Sequence, residues 1–328
     1  MGMSKILRNF HSRVGQLSLC YYRFNLAFFC KYNRKRFCIT DRNRHGKIFF
    51  LWLFLSVVNL IDSLLRYGVH ETCLIGAKLN RIIQNLFVPL KNILRECLQY
   101  KILDIIFSSP YANWFAFMGG TAIRIIHGQN RFSEDLDFDN FGLSGEAFEN
   151  LSRIIQRQIT REGYQVAIRN VIMTAYHCHV NIQQLLYEQH QTGNREEKLV
   201  IRIDTEPQNF NYNPDKFILN KFDIFTRINV VPIDLLLAQK LFAILNRKRV
   251  MGRDFFDSIF LFVKTRPNFS YLNQTANIKT MPELKAKLFE KCEKIQFESL
   301  VQDIEPFIVN PDDTKRVLLF KEYIQKLN

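Results

Sequence analysis

The residues of this sequence best suited to chemistry are two aspartates, Asp135 and Asp137, with one residue between them. The run Asp135-Leu136-Asp137-Phe138 has the alternation of a β-strand, on which residues two apart point to the same face. Both carboxylates are therefore expected on one side of the strand, with Leu136 and Phe138 facing the core. Two carboxylates this close repel each other unless a cation lies between them. Oxygen ligands of this kind suit Mg²⁺, which proteins usually bind through one or two carboxylates and substrate phosphates.

A glycine-rich turn precedes the aspartates. Gly119-Gly120-Thr121 opens a short predicted helix that Gly128 ends. Paired glycines let the backbone approach a ligand closely, and the N–H groups at a helix N-terminus are free to bind phosphate oxygens. Between the two motifs, Arg131 and Ser133 contact phosphates in one interpretation and anchor the loop in the other. Each motif alone is common in turns and strand ends, but their succession predicts a phosphate cradle beside a metal site.

The succession of Gly-Gly-Thr, a spacer and Asp-x-Asp resembles the signature of the DNA polymerase β-like nucleotidyltransferases. The residue sequence GGTAIRIIHG, followed by RFSEDLDF, is similar to the motif of the AbiEii/AbiGii toxin family. This family is the toxin half of bacterial toxin–antitoxin and abortive-infection pairs. The resemblance extends from about Leu90 to Asn328. It implies an α+β fold, in which a mixed-sheet polymerase β-like nucleotidyltransferase core precedes a helical C-terminal domain. It also implies an enzyme that transfers a nucleoside monophosphate from an NTP to an acceptor and releases pyrophosphate.

Asp204 is the candidate for a third carboxylate. On its predicted strand it points opposite Ile201 and Ile203. From the residues alone, a capped strand end explains it equally well. The resemblance places it on a strand that adjoins the Asp pair, where Asp135, Asp137 and Asp204 would hold two Mg²⁺ ions for nucleotidyl transfer.

Lys240 lies in an otherwise apolar predicted helix. Taken alone, such a lysine usually extends its charge to the surface. Arg247 lies seven residues later and is expected on the same helical face. By the resemblance, Lys240 contacts the triphosphate and Arg247 belongs to the nucleotide site. Asp254 then completes the site or holds Lys240 in place, whereas Asp257 supports the structure.

Two further sets of polar residues are left out of the predicted site. His127, His177 and His179 are tempting metal ligands, but no third partner accompanies the two that share a strand face, so they are interpreted as satisfied polar residues. Asp139 shares the carboxylate face but lies one strand step too far to share both metals.

Helices and strands alternate around these residues. Apolar residues at helical spacing predict a helix from Leu86 to Phe107, and a buried strand, Phe115 to Met118, leads into Gly119. Ser144 caps a helix over 146–162, and strands are predicted over 164–171, 174–182, 198–205 and 223–230, with a hairpin turn over 191–197. From Pro232 onward the pattern is helical, with helices after Pro232, after Gly252, over 282–292 and over 312–327. This order predicts an α+β core over residues 86–230 and a helical domain over 231–328, with the nucleotide in the cleft between them.

Residues 1–85 form a basic and apolar N-terminal extension. Most of the net charge of +14 lies in residues 1–48, where Asp41 is the single acid, so the rest of the chain is only mildly basic. Residues 48–61 are apolar but fall short of the roughly 20 residues that a membrane span requires. Three interpretations stay open: a membrane-tethering segment, an extra buried helix, and a leader that is not part of the functional protein. The seven cysteines have no disulfide or zinc spacing, which is typical of a cytoplasmic protein.

The resemblance also indicates the acceptor, because related toxins make the 3′ end of tRNA the leading candidate. Nucleotidylation of a protein or a small molecule is the alternative enzymatic function. A catalytically silent protein that binds nucleic acid or membrane is the alternative from another class, and the intact set of Gly-Gly-Thr, aspartates and Lys240 speaks against it. The expected partner is a cognate antitoxin encoded by a neighbouring gene, with or without direct contact.

Overall fold

The structure, a computed structural model, describes residues 90–327, which belong to one compact unit, Ala77–Asn328. The interpretations offered for residues 1–85, and the predicted helix start at Leu86, fall outside the described residues. Between residues 90 and 327, no helix combines the length and the apolar character needed to cross a membrane. The cysteines of this part of the chain, Cys97, Cys178 and Cys292, are free thiols.

A seven-stranded mixed sheet forms the centre of the fold. Its strands in chain order are β1 (Phe115–Met118), β2 (Leu136–Asn140), β3 (Gln165–Ile172), β4 (Tyr176–Gln183), β5 (Leu199–Pro207), β6 (Asp215–Lys221) and β7 (Ile224–Val230). They lie side by side in the order β3-β4-β5-β2-β1-β7-β6. β2 runs parallel to β5 and antiparallel to β1, which itself runs parallel to β7. A mixed sheet covered by helices confirms the predicted α+β fold.

The helices of the described residues fall into two groups. One group accompanies the sheet: α1 (Leu90–Phe107), α2 (Gly119–His127), α3 (Gly145–Arg161) and the single turn α4 (Leu185–Glu188). The other follows the last strand: α5 (Ile233–Asn246), α6 (Gly252–Phe262), α7 (Phe269–Ala276), α8 (Met281–Cys292), α9 (Phe297–Ile304), α10 (Lys315–Leu318) and α11 (Phe320–Lys326). Ser144 caps α3 as predicted, because its side chain accepts a hydrogen bond from the backbone N–H of Ala147.

Strand β1 separates two hydrophobic cores. Phe115 and Phe117 point into the first core, where the rings of Phe115 and Phe138 meet edge to face with their centres 5.4 Å apart. Ala116 points the other way, into a second core built largely by α5 to α11. Leu136 and Phe138 are fully buried in the first core, as predicted. The opposite face of β2 is therefore the one that presents its aspartates.

Some elements differ from the predictions. β6, α7 and α9 lie in segments for which the sequence predicts no element, because each is short and carries many exposed polar residues. β4 and β5 pair antiparallel as predicted, but α4 lies in their connection, so they do not form a tight hairpin. The predicted helix over 312–327 is instead α10 and α11, preceded by a 3₁₀ turn at Pro311–Thr314. All of these differences lie outside the Gly-Gly-Thr and Asp-x-Asp motifs.

Candidate active site

One row of paired residues crosses the sheet and carries two of the predicted carboxylates. Asp137 pairs with Asp204 on β5, and Asp204 pairs with His177 on β4. Paired residues of neighbouring strands project from the same face. Nδ1 of His177 lies 2.9 Å from Oδ1 of Asp204. Asp204 thus lies on the strand beside the Asp pair, as predicted, and His177 orients its carboxylate.

Asp135 lies one residue before β2, where Arg202 holds it. Arg202 is two residues before Asp204 on β5 and so projects from the same face. Its Nε donates to Oδ1 of Asp135 at 2.9 Å, and its Nη2 donates to Oδ2, so the guanidinium binds both carboxylate oxygens. Arg202 is absent from the predicted site, although the same alternation that indicates Asp204 also indicates Arg202.

The predicted phosphate cradle is the first turn of α2. The residue that precedes this helix makes no side-chain capping bond, so the first N–H groups of the helix stay available to a ligand. Gly119 has a φ of +77°, and a side chain there would overlap the carboxylate of Asp137. A side chain at Gly120 would meet Arg131 and Ser133. Gly119 thus lets the helix start lie close to the carboxylate, and Gly120 leaves room for Arg131 and Ser133.

Thr121 has a role within the fold of the site. Its side chain is fully buried, and its hydroxyl donates to the backbone carbonyl of Asp135. This bond ties the start of α2 to the loop that carries the first aspartate. The hydroxyl of Thr121 therefore has a structural role, and the nucleotide contact of Thr121 stays a prediction.

Lys240, on α5, is buried rather than extended to the surface. Only 12% of its side chain is exposed, and its Nζ lies 3.0 Å from Oδ1 of Asp254 and 2.9 Å from Oδ2 of Asp257, both on α6. Of the two roles that the resemblance leaves for Asp254, this contact supports the holding of Lys240. An ammonium group has three N–H donors, so the two carboxylates leave one donor for a phosphate oxygen.

Two arginines bind the same carboxylates. Arg131 is 2% exposed, and its Nε and Nη2 donate to the two oxygens of Asp257 at 3.0 and 2.9 Å. These bonds support the loop-anchoring interpretation of Arg131. The expectation that Arg247 shares a helical face with Lys240 is wrong, because α5 ends one residue before Arg247. Nη1 of Arg247 nevertheless lies 3.1 Å from Oδ2 of Asp254, on the wall of the cleft.

These charges keep the buried network ionised. Burial lowers the pKa of Lys240, but Asp257 and Asp254 outweigh this effect, so the pKa lies above its ordinary value. Burial raises the pKa of Asp257, but Arg131 and Lys240 outweigh it and bring the pKa below its ordinary value. Lys240 therefore stays positively charged inside the protein.

Asp137 has a carboxylate whose pKa is strongly raised. Burial, followed by repulsion from Asp135, raises the pKa of Asp137 to about 6. Asp204 adds to the rise, while Lys240 and Arg253 oppose it. The aspartate end of the site therefore has an excess of negative charge that a bound cation would offset.

One open cleft of about 630 Å³ is lined by Gly119, Gly120, Arg131, Ser133, Asp135, Asp137, His177, Arg202, Asp204, Lys240, Arg247 and Arg253. Thr121, Asp254 and Asp257 do not line it. This volume is in the range of small-molecule sites, roughly 300 to 1,000 Å³. Asp139 also lines the cleft, but its Oδ2 accepts hydrogen bonds from Tyr212 at 2.6 Å, Gln208 at 2.8 Å and Gln239 at 3.2 Å. Asp139 thus anchors the segment between β5 and β6.

The sequence of the chain matches the family model described as nucleotidyl transferase AbiEii toxin, type IV TA system, over residues 101–313, more than half of its length. The chain belongs to the AbiEii toxin family. It is therefore a nucleotidyltransferase and the toxin of a type IV toxin–antitoxin system, which implies a cognate antitoxin. The match confirms the predicted family and includes every residue of the predicted site.

Several solved structures, JHP933 and MenT4 among them, resemble this AbiEii chain at low similarity. JHP933 from Helicobacter pylori is 16% identical, with 72% of this chain and 92% of that chain covered and a TM-score of 0.43. The nucleotidyltransferase toxin MenT4 from Mycobacterium tuberculosis is 13% identical, with 73% and 85% covered and a TM-score of 0.45. No curated protein matches the sequence significantly. The family assignment rests on the family model alone.

The aspartates of this AbiEii protein also fit a metal shared with a substrate. Within the part of the chain that the structure describes, no three His, Cys, Asp or Glu side chains are grouped to hold a metal ion by themselves. Mg²⁺ does not need such a group, because it is usually bound by one or two carboxylates plus substrate phosphates and water. The crowded carboxylates of Asp135 and Asp137, with the raised pKa of Asp137, supply that donor set beside the start of α2.

Proposed function

We propose that this AbiEii protein catalyses the Mg²⁺-dependent transfer of a nucleoside monophosphate from an NTP to the 3′ end of tRNA, with release of pyrophosphate. One observation carries the proposal. A single cleft contains the uncapped start of α2, three carboxylates from neighbouring strands and the retained charge of Lys240. Anion-binding and cation-binding groups side by side are what a metal–triphosphate complex requires.

The triphosphate lies against the positive groups of the cleft. The first N–H groups of α2 at Gly119 and Gly120 bind phosphate oxygens, because a helix N-terminus carries partial positive charge. Lys240 offers the N–H donor that Asp254 and Asp257 leave free. Arg247 and Ser133 line the same cleft and complete the contacts with the nucleotide.

Asp135, Asp137 and Asp204 would hold the Mg²⁺ ions. When bound, Mg²⁺ supplies charge neutralisation of the leaving pyrophosphate and a lower pKa for the attacking hydroxyl. Asp204 lies beside Asp137 and is the carboxylate placed to take the proton of the acceptor hydroxyl. His177 fixes the orientation of Asp204 throughout, since it contacts one of its oxygens at 2.9 Å.

The consequences for the cell follow from the acceptor. A nucleotide added to the tRNA 3′ end blocks aminoacylation and stops translation, which explains a toxin that serves abortive infection and antiviral defence. The enzyme then acts in the cytoplasm, where NTP and tRNA meet. The positive charge of Arg253 on the cleft wall suits an anionic acceptor.

The experiment is the incorporation of label from each of the four NTPs into total tRNA, total protein and small molecules, with Mg²⁺ or with EDTA. Wild type is expected to label tRNA in the presence of Mg²⁺. Asp137→Ala should abolish both labelling and growth inhibition, whereas Asp215→Ala, an exposed aspartate on β6, should preserve both. Label found in protein or in small molecules instead of tRNA would show that one of these is the acceptor. Full toxicity of a folded Asp137→Ala protein would contradict the metal site.

A further inference from the structure

Arg202 lies where the proposed function needs a metal ion. It binds both oxygens of Asp135, and its Nε lies 4.0 Å from Oδ2 of Asp204. The guanidinium therefore offsets part of the negative charge of the carboxylates that the proposed function assigns to Mg²⁺. Two positive groups repel each other at such distances, so a divalent cation and Arg202 compete for Asp135.

Arg202 differs from Lys240 and Arg131 because its side chain is open to solvent. Its side chain is 45% exposed, whereas that of Lys240 is 12% exposed and Arg131 is 2% exposed. An exposed ion pair is weak, while a buried pair is costly to break. Lys240 and Arg131 are held by buried carboxylates on α6, and Arg247, although 44% exposed, pairs with the buried Asp254. Arg202 is the exposed cation whose partner, Asp135, is one of the proposed metal ligands.

We propose that Arg202 is an exchangeable substrate-binding residue, which pairs with Asp135 in the free enzyme and transfers to the triphosphate when metal and NTP bind. The inference rests on the proposed function, since it requires a metal and a nucleotide in this cleft. A guanidinium matches phosphate oxygens with the same two-pronged geometry that it uses for a carboxylate. Arg202 lines the cleft, so an NTP that binds there brings its phosphate oxygens to Arg202 as new anionic partners.

The test uses the full chain and measures Mn²⁺ binding by the electron paramagnetic resonance signal of free Mn²⁺. Arg202→Met removes the competing charge, so it is expected to bind Mn²⁺ about tenfold more tightly than wild type without nucleotide. The same variant should bind a non-hydrolysable NTP analogue with Mn²⁺ about tenfold more weakly, because a phosphate contact is lost. Arg202→Lys keeps the positive charge but not the two-pronged guanidinium, so its affinities for Mn²⁺ and for the nucleotide analogue should lie between those of wild type and Arg202→Met.

Arg169→Met is the matched control. Arg169 is exposed on β3 and pairs with His179, which pairs with Arg202, so it lies on the same face two strands away. It should leave both affinities within about twofold of wild type, since a charge roughly 10 Å away, about one Debye length at 0.1 M salt, acts far more weakly than one in contact with Asp135. If Arg202→Met does not fold by far-UV circular dichroism, Arg202→Gln replaces it.

Two results would overturn the exchange. An unchanged or weaker affinity of Arg202→Met for Mn²⁺ means that Arg202 stays on Asp135 and only orients it. An unchanged affinity for the nucleotide analogue means that Arg202 does not reach the triphosphate. Asp137→Asn distinguishes a failure of the exchange from a failure of the proposed function. If Asp137→Asn binds Mn²⁺ with the affinity of wild type, the metal site of the proposed function is wrong.

Discussion

Replacement of Lys240 by Met tests both the buried network and the nucleotide site. Lys240 lies between Asp254 and Asp257 with N–O distances of 3.0 and 2.9 Å. Removal of one partner of a buried ion pair costs about 3–5 kcal/mol, because it leaves uncompensated buried charge. Arg247 and Arg131 remain on the two carboxylates, so the expected loss of unfolding free energy is at the lower end, about 3 kcal/mol.

The same substitution should also reduce the rate of transfer. If the third N–H donor of Lys240 binds a phosphate oxygen, its loss removes transition-state stabilisation and lowers the rate by about a hundredfold or more. Lys240→Arg keeps the positive charge but replaces a compact ammonium with a planar fork. It should recover part of the stability and part of the rate.

The assay pairs urea unfolding, followed by far-UV circular dichroism, with the initial rate of labelled-nucleotide incorporation at a temperature where each variant is folded. Lys248→Met, an exposed lysine in the loop after α5, is the control and should change stability by less than about 0.5 kcal/mol. Equal unfolding midpoints for Lys240→Met and Lys248→Met would refute the buried network. A rate for Lys240→Met within about threefold of wild type, less than roughly 0.7 kcal/mol, would refute the phosphate contact.

Substitutions at Gly119 and Asp257 test the neighbouring parts of the site. Gly119→Ala should abolish NTP-dependent labelling, because the new side chain overlaps Asp137. Gly128→Ala is the control, because Gly128 has a similar positive φ but open space around it. This variant should lose stability while labelling persists. Equal activity of the two alanine variants would contradict the close approach of α2 to Asp137. For Asp257, the folded pKa lies below the ordinary value of 3.8, so its stabilisation is present above about pH 4 and is lost as the pH falls through the folded pKa. The urea midpoint of wild type should therefore fall more steeply below pH 4 than that of Asp257→Asn, and parallel pH profiles would contradict the ion pairing.

Local patterns in the sequence were sufficient to predict the centre of the site. The alternation around Asp137 predicts its face, because β2 buries Leu136 and Phe138 in the first core. The same alternation places Asp204 correctly on β5 and would also have identified Arg202, had the charge of that face been considered as a whole. These predictions succeed because a strand whose opposite face is buried has one possible orientation.

Contacts between distant segments could not be predicted in this way. Arg131 and Asp257 are 126 positions apart, and their pairing depends on how α6 docks beside the loop before β2. Tyr212 bonds Asp139 from a loop without periodicity, 73 positions away. β6 escapes prediction because it is an edge strand with a mostly exposed, polar surface. Tertiary packing decides such features, and one sequence contains no direct signal for it.

The buried ion network described above also limits how the enzyme can move. Arg131 links the loop before β2 to α6, and Lys240 links α6 to α5, so the network joins opposite walls of the cleft. A hinge motion that separated these walls would have to break at least one of these buried pairs. The enzyme should therefore discriminate among nucleotides through a cleft whose shape is fixed in the folded protein, with little contribution from induced fit.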